Sequence, residues 1–280
     1  MNYRYIILYA GSSGFGSGFG DEFDSKFNYN TWFISNYLSL HIREMKIPTD
    51  GPYNMFYCNI TKEEDSVKVM STSSLNVKIH VEKEEIDKYL NLSVEKERFE
   101  YYLSLLERGY IEASKTRNIP INVFWSLHQD FRENGYKNER LFGKKILRNM
   151  GIKIELFHVL TSYSYNLILS VYDLQGNIIG KNSICKTLPD DIHFNKNVRH
   201  FVVNDESLVI TDFLDKPQFV CSLKDLCKGI VRSKCVDKDT MNYIYNEHNA
   251  EKFERLKWEK SPRESKGQVI DPSNRELASD

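Results

Sequence analysis

Residues 3–10, Tyr3-Arg4-Tyr5-Ile6-Ile7-Leu8-Tyr9-Ala10, run directly into residues 11–20, Gly11-Ser12-Ser13-Gly14-Phe15-Gly16-Ser17-Gly18-Phe19-Gly20. A short apolar and aromatic run ending in glycines reads as a strand buried on both faces. It is too short to cross a membrane, and Arg4 interrupts it. It lacks the long apolar segment and small-residue cleavage site of a secretory leader. A glycine loop after a strand is a place where nucleotide phosphates sit, because glycine lets backbone N–H groups approach them. One alternative is therefore a nucleotide-binding enzyme or sensor, with Gly11, Gly14, Gly16 and Gly18 as its cofactor-binding candidates. The details argue against it. Gly14 and Gly16 are followed by Phe19 where a third glycine belongs, and Gly16 and Gly18 by Asp21. No Gly-Lys-Ser/Thr follows. Asp21, Glu22 and Asp24 would repel a phosphate. The expected helix opens only near Asn30, too far on to aim its dipole at the loop. Phe15, Phe19, Phe23 and Phe27 recur every four residues, which suits a loop pinned to a core by aromatics. The reading preferred is a flexible connection with a packing role and no cofactor. Such a loop can also touch a protein partner through Phe15, Phe19, Asp21, Glu22 and Asp24.

Beyond the loop, residues 31–47 carry apolar side chains at helical spacing, with Asn30 as N-cap and Pro48 as stop. Asp50-Gly51-Pro52 is a turn, and residues 53–60 read as a second strand. Residues 1–60 thus have the order strand, loop, helix, strand, a βαβ crossover or its α+β relative. Residues 67–70 and 75–81 are further strands. Val77, Ile79 and Val81 alternate with Lys78 and His80, so one face of that strand is wet.

Residues 93–116 form the longest helical pattern, with Gly109 as an interior weak point. Pro120 opens another helix and Gly135 stops it, which makes an αα-hairpin. His128, Asp130 and Glu133 invite an acid/base reading, but positions i and i+2 do not face each other on a helix. His128 reads as a partly buried structural histidine.

Residues 137–153 hold Lys137, Arg140, Lys144, Lys145, Arg148 and Lys153 against Glu139 alone. They read as exposed cations on a connector. Lys144, Lys145 and Arg148 are partner-binding candidates, and a nucleic-acid contact is the second alternative function. No aromatic pattern of an RNA-binding sheet accompanies them. From residue 152 the period changes to strands: 154–160, 165–174, 177–186, 198–203 and 208–213, an antiparallel meander. Ser222 with Asp225 resembles a capping box and starts a short helix. Residues 240–257 form a last helix, and residues 261–280 read as a disordered tail.

The fold class expected is α+β. Residues 1–91 form an α/β N-terminal part, residues 92–150 a helical hairpin with a basic connector, and residues 151–260 a β-rich C-terminal part. The formal net charge of −1 gives no global field toward nucleic acid or membrane. Five cysteines, an odd number without a visible leader, suit reduced thiols in a cytoplasm. Cys221, Cys227 and Cys235 cluster after His193 and His200, but zinc spacing is not met, and no metal is expected. Nucleophile elbows, paired-histidine metal motifs and kinase signatures are lacking.

The N-terminal plan resembles that of bacterial immunity proteins, the cytoplasmic antidotes of polymorphic or contact-delivered toxins. The residues that carry the resemblance are the strand 5–9, the helix containing Trp32, and Pro48-Thr49-Asp50-Gly51 leading into Tyr53-Asn54-Met55-Phe56. It covers the first quarter of the chain. It implies a soluble protein that binds a cognate toxin and blocks its site, with no chemistry of its own.

Overall fold

The computed structural model describes residues 1–11, 16–189, 198–204 and 206–245. Tyr5–Ala10 (β1), Met55–Thr61 (β2), Ser66–Met70 (β3) and Ser74–His80 (β4) form the first sheet, in the order β1-β2-β4-β3. β1, β2 and β4 are parallel, and β3 returns antiparallel on β4. Ile6, Leu8 and Ala10 pair with Phe56, Cys58 and Ile60, all buried on one face. Burial on both faces holds for β1 only at its centre: on the other side Ile7 is buried, while Tyr5 is exposed and Tyr9 half-buried. Ile6, Leu8 and Ala10 are the β1 side chains that join the main apolar cluster.

Asp21–Met45 forms the first helix, α1, which starts well before the expected Asn30. Two local forces extend it backward. Phe23 and Phe27 continue the apolar stripe and pack against Tyr89. Asp21, Glu22 and Asp24 occupy the first turn, where the partial positive charge of the helix start favours them. The helix ends on Lys46 in the left-handed conformation, φ 53°.

α1 lies antiparallel to β1 along the open edge of the sheet and completes its hydrogen bonding. The N–H groups of Ile6, Leu8 and Ala10 donate to Ser39 Oγ, Ser35 Oγ and Asn28 Oδ1 at 3.0, 3.0 and 2.7 Å. Thr31 Oγ1 donates to the carbonyl of Leu8 at 3.2 Å. The match is geometric. Four helical residues rise about 6.0 Å, and two strand residues about 6.6 Å. A small hydroxyl every helical turn therefore meets every second amide of the strand. This accounts for Thr31, Ser35 and Ser39 being buried beside the apolar stripe of the helix.

Lys83–Leu90 (α2), Glu95–Ser114 (α3) and Ile121–Glu133 (α4) follow, with α3 and α4 as the expected hairpin. α3 runs unbroken through Gly109, because that position serves close packing. A Cβ there would lie 2.8 Å from Cys58 Sγ. Phe56 meets Tyr110 and Phe124 edge-on beside it, and those two rings are tilted against each other.

Residues 138–147, expected as part of a connector, are instead a strand, Asn138–Leu147 (β5). It is antiparallel to Ile152–Leu160 (β6), which pairs with Tyr165–Asp173 (β7) and then Ile178–Thr187 (β8). The alternation in β5 is broken by a register shift between Leu141 and Gly143, and its exposed positions are mostly charged. The other C-terminal strands do not extend this sheet. His200–Val203 (β9), Ser207–Thr211 (β10), Pro217–Ser222 (β11) and Lys234–Cys235 (β12) form a third sheet, in the order β12-β11-β10-β9. Phe201 packs 3.0 Å from where a Cβ on Gly143 would stand, and the Gly229 carbonyl 2.3 Å from a Cβ on Gly180. The two sheets thus approach through glycines. Ser222 caps the helix Leu223–Leu226 by accepting from the Asp225 N–H at 3.3 Å, as the capping box predicts. The final described helix is Lys238–Tyr245; the rest of the expected terminal helix and the tail 261–280 lie outside the described residues.

The halves are joined by buried amides. Asn138 Nδ2 donates to the Phe33 carbonyl at 2.8 Å, and Asn30 Nδ2 to the Ser162 carbonyl at 2.6 Å. One continuous apolar cluster runs from Tyr3 to Val231. The architecture is α+β: a strand–helix N-terminal unit, a helical hairpin, and C-terminal antiparallel strands.

Candidate interaction surface

The glycine loop is filled by one of its own side chains. The Ser17 N–H donates to Asp24 Oδ2 at 2.8 Å, and the Ser17 hydroxyl donates to Asp24 Oδ1. Asp24 Oδ2 would sit 3.2 Å from a Cβ on either Gly11 or Gly16. A carboxylate therefore occupies the space where these glycines would admit a phosphate. Helix α1 does begin at the loop, contrary to the expectation, but its first turn is lined with acids. Gly18 rests against the stem of Lys62, and the Ser17 carbonyl accepts from the Lys62 N–H at 3.1 Å. Gly14 and Phe15 lie outside the described residues.

The partner candidates of the loop divide. Asp21 and Glu22 are exposed, whereas Asp24 is turned inward and is 8% exposed. Phe19 is half-buried against Phe23, with Lys62 Nζ 5.3 Å from its ring centre.

His128 is fully buried, where the sequence reading expects it partly buried, and its partners come from α3. Its Nδ1–H faces Glu107 Oε1 at 3.0 Å, and the Tyr110 hydroxyl faces its Nε2 at 3.1 Å. Burial holds His128 below the usual imidazole range, and the His128 hydrogen bond holds Glu107 low. Both directions fit a neutral imidazole donating to a carboxylate. Arg132 then closes on Glu100 through paired contacts of 3.0 Å and on Glu107 at 3.2 Å. An open cleft of about 530 Å³ lies over this network, bordered by Glu107, Trp125 and Arg132. Tyr110 and His128 do not reach it, since neither is exposed. The network clamps α3 to α4.

Among the described residues, no group of three or more His, Cys, Asp or Glu side chains stands close enough to hold a metal ion. All five cysteines are free thiols: Cys58, Cys185 and Cys221 are buried and Cys227 is exposed. Burial pushes the thiols of Cys58 and Cys221 up to about 12. His193 lies outside the described residues. No described helix is long and apolar enough to cross a membrane.

The basic stretch is not one patch. Lys144 points to the outer face of the second sheet, while Lys145 pairs with Ile154 on the inner side, and Arg148 sits in the turn after β5. Lys144 and Lys153 both reach Glu155, at 3.8 and 3.1 Å. Lys153 also lies 4.0 Å from the Tyr172 ring centre.

That outer face is the more informative surface. Directly opposed residues of neighbouring strands share a face, so the register gives its rows. Leu141, Phe157 and Ile168, with Ser183 at the β8 end, form one largely apolar row. Lys144, Glu155, Ser170 and Lys181 form the next, and Ile146, Lys153, Tyr172 and Ile178 the last. Leu141, Ile146 and Ile178 are 48%, 51% and 58% exposed. An antiparallel sheet with one wet face ordinarily shows polar side chains there. Here apolar rows flank a charged one, and no described helix or strand crosses them. Sequence reasoning missed Leu141, Ile146 and Phe157. The surrounding lysines made the segment look like a connector, and the bulge at Gly143 broke its alternation.

No family model, curated protein or solved structure matches this chain.

Proposed function

We propose that the chain is a protein-binding module that docks an acidic partner surface through the outer face of β5–β8. The observation that carries the reading is the row Leu141–Phe157–Ile168, left uncovered beside Lys144, Lys153 and Lys181. Apolar rows supply desolvation energy on contact, and the lysines select carboxylates and speed encounter. Glu139 and Glu155 are the acids on the same face, so its net sign is positive.

The resemblance of the first quarter to immunity proteins narrows the partner to a toxin, and the function to antidote: binding that blocks the toxin's site. The filled glycine loop supports binding over nucleotide chemistry, and the division of the basic stretch supports a protein partner over nucleic acid.

The test is affinity capture from the native lysate with mass spectrometry, run in parallel with the folded double variant Leu141→Asp/Lys144→Glu. The expected result is one stoichiometric partner with an acidic surface, often encoded beside this chain, that the variant fails to capture. A partner retained by the variant would move the site elsewhere. No partner at all would overturn the reading.

A further inference from the structure

The helical hairpin carries side chains whose binding capacity its own contacts leave unused. Trp125, Gln129 and Arg132 fall at i, i+4 and i+7 along α4 and so share one stripe, with Ser126 beside it. Phe124, Leu127, His128 and Phe131 are the buried side of the same helix. With Glu107 of α3, the stripe borders the open cleft of about 530 Å³. That volume lies within the roughly 300–1,000 Å³ of small-molecule clefts. Trp125 is 43% exposed. An indole is apolar across its flat faces, so its exposure here sets an apolar platform against a polar border.

The polar groups of the border are fixed in place. Arg132 grips Glu100 through Nε and Nη2 at 3.0 Å and reaches Glu107 Oε1 at 3.2 Å. The buried His128 holds the same Oε1 at 3.0 Å. The Gln129 amide donates to Glu133 at 2.8 Å, and the Ser126 hydroxyl donates to the Val123 carbonyl at 2.8 Å. These bonds set the side chains before any ligand arrives, which lowers the entropy cost of binding. Among the described residues they leave Glu107 Oε2, Arg132 Nη1 and Gln129 Oε1 without a partner, and the Ser126 oxygen can still accept.

We propose that this cleft binds the ring of a neutral sugar. The C–H groups on one face of a pyranose carry small positive partial charges and lie flat on the negative face of an indole. Hydroxyls at the ring's edge donate and accept at once, so they match a border of carboxylate, guanidinium, amide and hydroxyl groups. Charge decides between ligand classes. Arg132 is held by two carboxylates, Glu100 and Glu107, and offers no spare positive charge to a phosphate. Glu107 is paired in turn, and Trp125 is the one aromatic ring at the cleft, too few for a quaternary-ammonium cage. A neutral, hydroxyl-rich ligand with one apolar face is what remains. His128 is a positioning residue, holding the Glu107 carboxylate from the buried side. Stacking is one-sided and the cleft is open, so the dissociation constant lies in the millimolar range. The site shares no residue with the outer face of β5–β8, and neither reading depends on the other.

Saturation-transfer NMR of the full chain tests this with free glucose, galactose, mannose, N-acetylglucosamine, maltose and lactose. A second arm presents the same sugars immobilised through the anomeric carbon, read by surface plasmon resonance. The expected result is transfer to the ring C–H groups of at least one sugar. Binding in both arms assigns the site to the end of a glycan, and binding of the free sugar alone to a soluble saccharide. Trp125→Ala should weaken binding at least about tenfold, as loss of an aromatic anchor does. Trp125→Tyr keeps a flat ring and should recover part of it. Gln129→Ala, at an exposed position, is the second variant and should also weaken binding. Inorganic phosphate and tetramethylammonium should not compete. Absence of sugar binding in both arms would overturn the proposal. So would binding that Trp125→Ala and Gln129→Ala leave unchanged while their circular dichroism stays native, or competition by either ion.

Discussion

The Asp24 carboxylate accepts both donors of Ser17, the backbone N–H at 2.8 Å and the side-chain hydroxyl. Seven residues apart in sequence, the two close the glycine loop on itself at the start of α1. Asp24→Ala leaves the Ser17 N–H without its acceptor in a buried setting, at a cost of about 1–3 kcal/mol. Asp24→Asn keeps one acceptor and should cost less. Urea unfolding of the two variants reads both values. A nucleotide panel should leave the wild-type melting temperature unmoved, since the carboxylate holds the space; a clear upward shift with any nucleotide would reverse this account.

Ser35 and Ser39 should behave as structural residues despite their small polar side chains. Each accepts from a β1 amide at 3.0 Å in the core. Ser35→Ala strands the Leu8 N–H, and a loss of about 1–3 kcal/mol is expected. Ser35→Thr keeps the hydroxyl and should recover part of it. Hydrogen exchange at the Leu8 amide is the sharper readout, with faster exchange in the alanine variant only.

Gly109→Ala should destabilise in spite of alanine's better helix propensity. The new Cβ would meet Cys58 Sγ at 2.8 Å, and overpacking of this kind costs about 1–3 kcal/mol. Combining it with Cys58→Ala removes the clash, so the double variant should be less unstable than the two single losses added together. Strict additivity in chemical denaturation would show that the close approach is not the cause.

His158 carries a pH dependence whose sign follows from burial. Its Nδ1 accepts from the Tyr165 hydroxyl at 2.8 Å, and burial lowers its pKa to about 3. The unfolded chain binds this proton below the ordinary value of 6.5, and the folded chain does not until about 3. Stability from this group is therefore fully present above pH 6.5 and is lost as pH falls toward 3. The slope approaches about 1.4 kcal/mol per pH unit. His158→Asn retains an acceptor for Tyr165 and cannot titrate, so its unfolding midpoint should depend less steeply on pH across that window.

Much of this architecture is legible in local pattern. The alternation of Val77, Ile79 and Val81 marks β4, and Pro120 with Gly135 brackets the helix between them. Ser222 and Asp225 announce their cap. What stays hidden depends on distant contacts. The start of α1 rests on Phe23 and Phe27 meeting Tyr89, which lies more than sixty residues on. Gly109 reads as a weak point until Cys58 is placed beside it. β5 reads as a charged connector because its lysines are noticed before Leu141 and Ile146, and because Gly143 shifts the register. The candidate surfaces were the least legible of all. Lys144 was in view, but its face is made by β6 and β7, whose outward Phe157 and Ile168 look like ordinary strand residues. No spacing within one strand records which face of a sheet is left bare.

The hydroxyl rungs between α1 and β1 join segments that are consecutive in the chain. During synthesis both leave the ribosome ahead of β2, and folding tends to proceed from the N-terminus. A nascent chain of this length can already close one side of β1. What remains is a strand with a single pairing side, turned toward the place where β2 will arrive. Growth of the sheet is thereby given a direction, and an intermolecular strand has one edge to find and not two.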